Sequence, residues 1–395
     1  MRIDLVFPRF KLLSGAERAI LGLAGALAAA GHRPRIVCHQ FDASCRPRLD
    51  AGIELVTSGA RLDWSRSRYL NAVSDYTRTF GLGRLLDPEA DFRVFFGPAL
   101  LLARRRLSAS RAAGIPTIYY CWEPPRVLFQ DREEVLRRLG WARWPMAAAL
   151  AIYRRLDQRM VAAMDAVVTS SPFAAARIEE CYGRGAEVIT LGIDRERLDA
   201  ARPDAEVTAA PRARLLTVNY LHPRKRVDLI IEAAALLASP TAPALTVIGD
   251  GPERPRLQRL AAALGIADRV VFAGFVDDDE LPAWYWRADC YLHATRDESF
   301  GLSVLEASYC MCPVVAVDEG GVRDTVDEGL TGYRVAATPA AIAAGVERVL
   351  GAPDRGAALG EAGRARIQAR FRWDRGADDL VEVARGVERR WSGAR

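Results

Sequence analysis

Residues 2–7, Arg-Ile-Asp-Leu-Val-Phe, read as a strand, and Ser14-Gly-Ala-Glu17 behind it has the form of a capping box opening an apolar helix that reaches Ala30. Short apolar runs of strand length recur at 35–38, 53–56, 92–96, 117–121, 166–169 and 187–191, with helical spacing between most of them. Between 194 and 214 the periodicity lapses into Asp, Arg, Pro and Ala. It then resumes with strand 215–219, helix 227–237, strand 245–248, helix 255–264, strands 270–272 and 290–293, helix 303–310, strand 314–317, and helical patterns to the C-terminus. Apolar strands separated by helices predict parallel sheets covered on both faces. At 395 residues the chain exceeds one ordinary core. Two α/β domains are therefore expected, 1–200 and 201–375, with the lapse as linker and 376–395 as a closing helix packed back on the N-terminal domain.

Composition narrows the class. No stretch of about 18 apolar residues is free of charge, and Asp4 and Pro8 interrupt the N-terminus too early for a signal peptide, so a cytoplasmic protein is expected. Seven cysteines without a CxxC pair read as buried free thiols. The excess of 55 basic over 50 acidic residues is mild and does not by itself imply nucleic acid. Its distribution says more. Arg137, Arg138, Arg143, Arg154, Arg155 and Arg159 face only Asp157 within 137–160, interrupted by Trp141, Trp144, Pro145 and Met146. That stretch reads either as a peripheral contact with an anionic membrane surface or as a helix with a solvated basic face. Nearly every basic residue is arginine, the exceptions being Lys11 and Lys225. A site that needs a compact ammonium therefore points to Lys225.

The densest candidate chemistry is Asp297-Glu-Ser-Phe-Gly-Leu-Ser-Val-Leu-Glu-Ala307. Between a strand ending near 293 and a helix from 303, Phe300-Gly-Leu302 forms the turn at a helix N-terminus. Bare N–H groups there attract phosphate, and glycine lets it approach. Glu298 precedes the turn and Glu306 lies about one helical turn inside it. Two carboxylates flanking a phosphate cradle suit the hydroxyls of a nucleotide sugar; the bland reading is a loop charge and a local helix pair. The sequence carries no GxGxxG, and Asp277-Asp-Asp-Glu280 reads as a loop and helix start rather than a metal site.

These residues carry a resemblance. Glu298 to Glu306 resembles the E-x7-E signature of retaining GT-B glycosyltransferases of family four. Ser14-Gly-Ala-Glu17 is similar to their GGxE loop, Val247-Ile-Gly-Asp-Gly-Pro-Glu253 to their GxGP turn, and Gly320-Gly-Val322 with Gly329-Leu-Thr-Gly332 to their later glycine loops. The resemblance implies two Rossmann-like domains with parallel sheets facing a central cleft, the nucleoside-diphosphate sugar on the C-terminal one and a glycan or glycolipid acceptor on the N-terminal one. It implies metal-independent transfer with no cofactor. Carried over by position, Glu298 meets the sugar hydroxyls and Glu306 the ribose. Phe300, Gly301 and Leu302 offer backbone N–H groups, and Lys225 binds the diphosphate, with Gly15 on the N-terminal glycine loop.

The sequence departs from the pattern twice. Tyr220 stands where the family places an arginine, leaving Arg224 or another loop arginine as the substitute. Tyr119-Tyr-Cys-Trp-Glu-Pro-Pro-Arg126 resembles the YCHxPxR segment of mannosyltransferases that extend lipid-linked sugars, with Trp122 in place of the histidine, and none of His32, His39, His222 and His293 obviously replaces it. Trp122 reads as a stacking platform or core filler, and Glu123 as an acceptor-side group or an ion-pair partner of Arg126. The leading expectation is mannosyl transfer from GDP-mannose. Its rivals are a degenerate GT-B protein that binds without transfer, and a nucleotide-sugar epimerase.

Overall fold

The computed structural model describes residues 1–11, 13–59, 79–97, 109–110, 112–137, 143–203, 214–237, 242–354 and 356–393. The chain forms two compact units, Met1–Gly192 with Trp373–Arg395, and Ile193–Arg372.

In the first unit seven strands lie parallel: β1 (Arg2–Val6), β3 (Arg33–Cys38), β5 (Glu54–Thr57), β6 (Phe92–Phe96), β7 (Thr117–Tyr120), β8 (Ala166–Thr169) and β9 (Glu187–Val188), in the order β5-β3-β1-β6-β7-β8-β9. Two-residue strands β2 (Arg9–Phe10) and β4 (Gln40–Phe41), which the pattern is too short to reveal, pair beside the sheet. Every residue of β6, β7 and β8 is buried, as a sheet covered on both faces requires. One core gathers Val6, Val37, Phe95, Tyr119, Val167 and Ile178 with Met160 and Val161 of the helix Arg143–Ala163. The last helix, Trp373–Gly393, belongs to this unit, where the Trp373 indole fills the space that a Cβ at Gly22 or Gly192 would occupy.

The second unit holds six parallel strands, β10 (Arg214–Val218), β11 (Ala244–Ile248), β12 (Val270–Gly274), β13 (Cys290–His293), β14 (Val314–Val317) and β15 (Gly332–Val335), in the order β12-β11-β10-β13-β14-β15. Leu215 registers with Leu245 on one side and Cys290 on the other. This is the doubly wound order, and its direction reverses between β10 and β13. Side chains alternate across β13: Cys290 and Leu292 enter the core with Ile230, Ile231, Val247 and Val346, while Tyr291 and His293 face the other side, where Tyr285 meets Tyr291 edge-on.

Three expectations need correction. The unit boundary falls at Gly192/Ile193, not at 200/201, because the supposed linker begins with a helix, Arg195–Ala200, whose Arg197 is tied into the second unit; residues 204–213 of that linker lie outside the described residues. Ser14 stands at the N-cap of the helix Gly15–Ala29, but only half of the capping box forms: its hydroxyl donates to the buried Glu17 carboxylate instead of accepting from the helix, while that carboxylate also accepts from the Ser14 backbone N–H. The apolar run at 187–191 pairs as a strand only at Glu187–Val188. All seven cysteines are buried free thiols.

Candidate active site

The reversal between β10 and β13 fixes where a ligand crevice opens: beyond the C-terminal ends of these two strands, where their loops part. Both loops carry the residues singled out by the sequence. After β10 the chain turns through a 3₁₀ segment, Pro223–Lys225, before the helix Val227–Leu236. After β13 it runs through 294–301 into the helix Leu302–Tyr309, with Gly301 at the N-cap in the left-handed region at φ 85°.

The two loops meet through charge. Lys225 Nζ donates to Glu298 Oε2 at 2.7 Å. Burial alone would raise the Glu298 pKa, but the Lys225 ammonium, with His293 and Arg224 nearby, holds it down to about 2. His293 Nε2 lies 3.8 Å from the same oxygen on a side chain only 1% exposed, and neither ring nitrogen has a hydrogen-bond partner among the described residues. Burial pushes the imidazole down to about 4, with Lys225, Arg226 and Arg224 acting in the same sense against Glu298. Arg226 takes φ 46°, unusual for a side-chain-bearing residue. Its Nε donates to the Ala294 carbonyl at 2.8 Å, and its two terminal nitrogens fork onto Glu319 at 3.2 and 2.6 Å.

Glycines let two further loops lie against this pair. A Cβ at Gly320 would stand 2.4 Å from the Glu298 carbonyl oxygen, and Gly321 N donates to that oxygen at 2.6 Å. A Cβ at Gly249 would stand 1.9 Å from the Asn219 carbonyl oxygen. Only glycine permits either approach. The GxGP-like and GG-like turns therefore act as spacers that seat the lysine and glutamate loops.

Glu306 has other surroundings. It is 4% exposed, its Oε1 accepts from Arg197 Nη2 at 2.7 Å, and its Oε2 accepts from the Tyr285 hydroxyl at 3.2 Å. Arg197 and Tyr285 escape a sequence reading because they lie on the helices Arg195–Ala200 and Leu281–Arg287, far from the motif. His293 and Arg226 were within reach of one, since they flank the strand and the lysine already singled out. Phe300 is buried against Phe371 at 5.9 Å, so only its backbone can serve a ligand. Leu302 opens the helix, Arg224 is half-buried on the lysine turn, and Tyr220 is half-exposed with its ring stacked on His222. Among the described residues no group of three His, Cys, Asp or Glu side chains gathers as a metal site, and Glu280 of the acidic run stands at the N-cap position of the helix Leu281–Arg287 without a side-chain capping bond.

Gly15 stands in the first unit, in the first turn of Gly15–Ala29. Trp122, Glu123 and Arg126, expected on the acceptor side, lie there as well, beyond the end of β7. The Trp122 ring is 4.1 Å from Tyr120 and stacks with Phe96 at 6.0 Å, and buried Trp122 Nε1 and Tyr120 Oη lack hydrogen-bond partners among the described residues. Glu123 accepts from Arg126 Nη1 at 2.7 Å, and Arg126 also donates to both oxygens of Asp131 at 3.0 and 3.2 Å. Glu123 and Arg126 thus hold their loop together in the ion-pair role. On the helix Arg143–Ala163, Trp144, Met146, Ile152 and Leu156 are exposed together with Arg143, Arg154, Arg155 and Arg159, while Asp157 is buried under the Tyr182 hydroxyl at 2.7 Å. Arg138 and Trp141 of the basic stretch lie outside the described residues.

The same two halves are matched by known families. A model described as Glycosyl transferase 4-like domain matches residues 14–192, and one described as Glycosyl transferases group 1 matches 203–366. The GDP-mannose-dependent alpha-(1-6)-phosphatidylinositol monomannoside mannosyltransferase of Mycobacterium tuberculosis (strain ATCC 25618 / H37Rv) is 30% identical over 320 residues, 73% of this chain and 80% of that one. The D-inositol 3-phosphate glycosyltransferase of Salinispora tropica is 36% identical over 252 residues, 58% of this chain and 52% of that one. Sucrose-phosphate synthase from Thermosynechococcus elongatus shares the fold, with a TM-score of 0.76 at 20% identity over 98% of each chain. Two α/β units with parallel sheets, both matched in order, and a mannosyltransferase relative covered over most of its length place the chain in the group 1 glycosyl transferase family: it is a glycosyltransferase of GT-B architecture.

Proposed function

We propose that the protein transfers mannose from GDP-mannose to a glycan or lipid-linked glycan, with retention at the anomeric carbon and without a metal ion. The observation that carries this reading is the Lys225–Glu298 pair, seated at the strand reversal of the second unit beside the N-terminus of Leu302–Tyr309. The diphosphate lies against the N–H groups of 300–302, where the helix end offers unpaired donors and positive potential. Lys225 neutralises the charge that grows on the departing diphosphate as the glycosidic bond breaks, a role for which a compact ammonium suits two phosphates better than a planar fork. Arg224, whose charge already reaches Glu298, supplies the second cation that Tyr220 does not. Glu298 reads the sugar hydroxyls. Glu306, fixed by Arg197 and Tyr285, is placed in the proposal as the ribose partner, since each carboxylate oxygen can accept more than one hydrogen bond.

On the acceptor side, Trp122, the partly exposed ring of the stack it forms on buried Phe96 and Tyr120, serves as the stacking surface for a sugar ring. The exposed apolar and arginine face of Arg143–Ala163 suits an anionic leaflet at the inner side of a membrane, which would bring a lipid-linked acceptor to the enzyme. No helix among the described residues is long and apolar enough to cross a membrane. Support for guanosine and mannose comes from the name of the mycobacterial relative. A thermal-shift panel of GDP, UDP and ADP tests the donor base: GDP is expected to raise the melting temperature most, and a larger rise with UDP or ADP would replace it.

A further inference from the structure

We infer that His293 is a positioning residue that takes over Glu298, with uptake of one proton, when the donor diphosphate draws Lys225 away. This rests on the nucleotide-sugar reading above and extends it to a residue outside the E-x7-E resemblance.

Lys225 cannot give its full charge to two anions at once. In the structure it sits on Glu298 at 2.7 Å, while the proposed chemistry requires it on the diphosphate. A carboxylate whose side chain is only 16% exposed then loses its close counter-charge. The group positioned to replace it is His293, whose Nε2 is 3.8 Å from the oxygen that Lys225 holds. A displacement of about 1 Å brings that pair to charge-assisted hydrogen-bond length. The ring is not adrift: it stacks on Tyr291 at 6.4 Å and 24°, so the carboxylate moves toward a fixed partner.

Two features single His293 out. Buried polar groups in native proteins are nearly always satisfied, yet both its nitrogens lack partners among the described residues, as does the adjacent buried hydroxyl of Thr295. The charges acting on it are also balanced for a change of state. Lys225, Arg224 and Arg226 oppose its protonation, Glu298 favours it, and Tyr291 faces it as an uncharged ring. A diphosphate offsets those cations and removes Lys225 from the carboxylate, so both changes favour imidazolium. The proton comes from solvent and rests on the imidazole, with no covalent bond made or broken.

The test is calorimetric titration of GDP-mannose into the full chain near pH 6.5, in buffers of different ionisation enthalpy. The diphosphate diester of GDP-mannose has no group titrating near that pH, so uptake belongs to the protein. Wild type is expected to take up a large part of one proton per donor bound, rising as pH is lowered to about 5.5 and declining below that as the free imidazole, with its pKa of about 4, also protonates. His293→Gln retains a neutral amide N–H and should bind within about threefold of wild type with no uptake, whereas His293→Leu should bind about tenfold or more weakly. Melting curves of each variant establish that it is folded. Binding whose enthalpy is independent of buffer, or uptake undiminished in His293→Gln, would overturn this inference alone. No binding of GDP-mannose, UDP-glucose or ADP-glucose would instead remove the nucleotide-sugar reading and this inference with it.

Discussion

Replacing Arg197 with methionine probes the buried ion pair beneath the site, along with the bond from Arg197 Nη1 to the Asp278 carbonyl that is lost with it. The Arg197 and Glu306 side chains are each 5% exposed and meet at 2.7 Å, so the substitution removes the close counter-charge of a buried carboxylate that keeps its bond from the Tyr285 hydroxyl at 3.2 Å. Breaking a buried pair from one side costs about 3–5 kcal/mol. Methionine keeps much of the apolar contact of the arginine stem and Tyr285 remains, so the lower end, about 3 kcal/mol, is expected. Hydrogen exchange over Cys290–His293 and Leu302–Tyr309 reports opening of the second unit itself, and 3 kcal/mol corresponds to exchange about 150-fold faster. The double variant Arg197→Met, Glu306→Leu should recover most of the loss, because the charge is removed rather than orphaned. Under the ribose proposal it should still lose donor affinity. Exchange within about threefold of wild type in the single variant, equivalent to less than about 0.7 kcal/mol, would refute the claim that this pair holds Glu306 in place.

Acid should loosen the second unit in two separable windows. His293 has a folded pKa of about 4 against an ordinary 6.5, so the unfolded chain takes its proton first, and stability present above 6.5 is lost as pH falls toward 4. The loss is about 3 kcal/mol, visible in urea midpoints measured against pH, and His293→Leu should flatten that part of the curve. Glu298, lowered from 4.5 to about 2, contributes stability above 4.5 that disappears between 4.5 and 2, and Glu298→Gln should remove this second slope. On the first unit, changing Arg154, Arg155 and Arg159 to glutamine should weaken binding to phosphatidylserine vesicles by about 3 kcal/mol at low salt, at about 1 kcal/mol per arginine. Sedimentation with vesicles measures this, and equal binding by wild type and variant would leave the helix as an ordinary solvated face.

What the chain reveals on its own follows from how local each signal is. Strands such as Phe92–Phe96, Cys290–His293 and Val314–Val317 read true to the residue because a parallel strand buried on both faces is predominantly apolar, with single paired or functional exceptions such as Arg93 and His293. Glu298 and Lys225 were legible separately, one from its turn and the other as a rare lysine, but their 2.7 Å contact spans 73 positions and no spacing rule predicts it. Glu306 misled in part: its place in the motif suggests an open site, while its surroundings are set by Arg197, at a separation of 109 positions. The helix Arg195–Ala200 was missed for a related reason, because six residues anchored by polar contacts of Arg195, Arg197 and Asp199 to positions far along the chain need no apolar periodicity. Glu123 and Arg126 show the converse, since an i,i+3 pair is local and its structural reading was available from spacing alone.

The account stands on a diphosphate engaging Lys225 at the strand reversal of the second unit. Titration of GDP-mannose against wild type and Lys225→Ala at neutral pH tests this directly. Loss of one charge-assisted contact of about 1.5–3 kcal/mol predicts binding weakened roughly 10- to 150-fold in the variant. Equal affinity for both proteins would place the donor elsewhere and contradict the account.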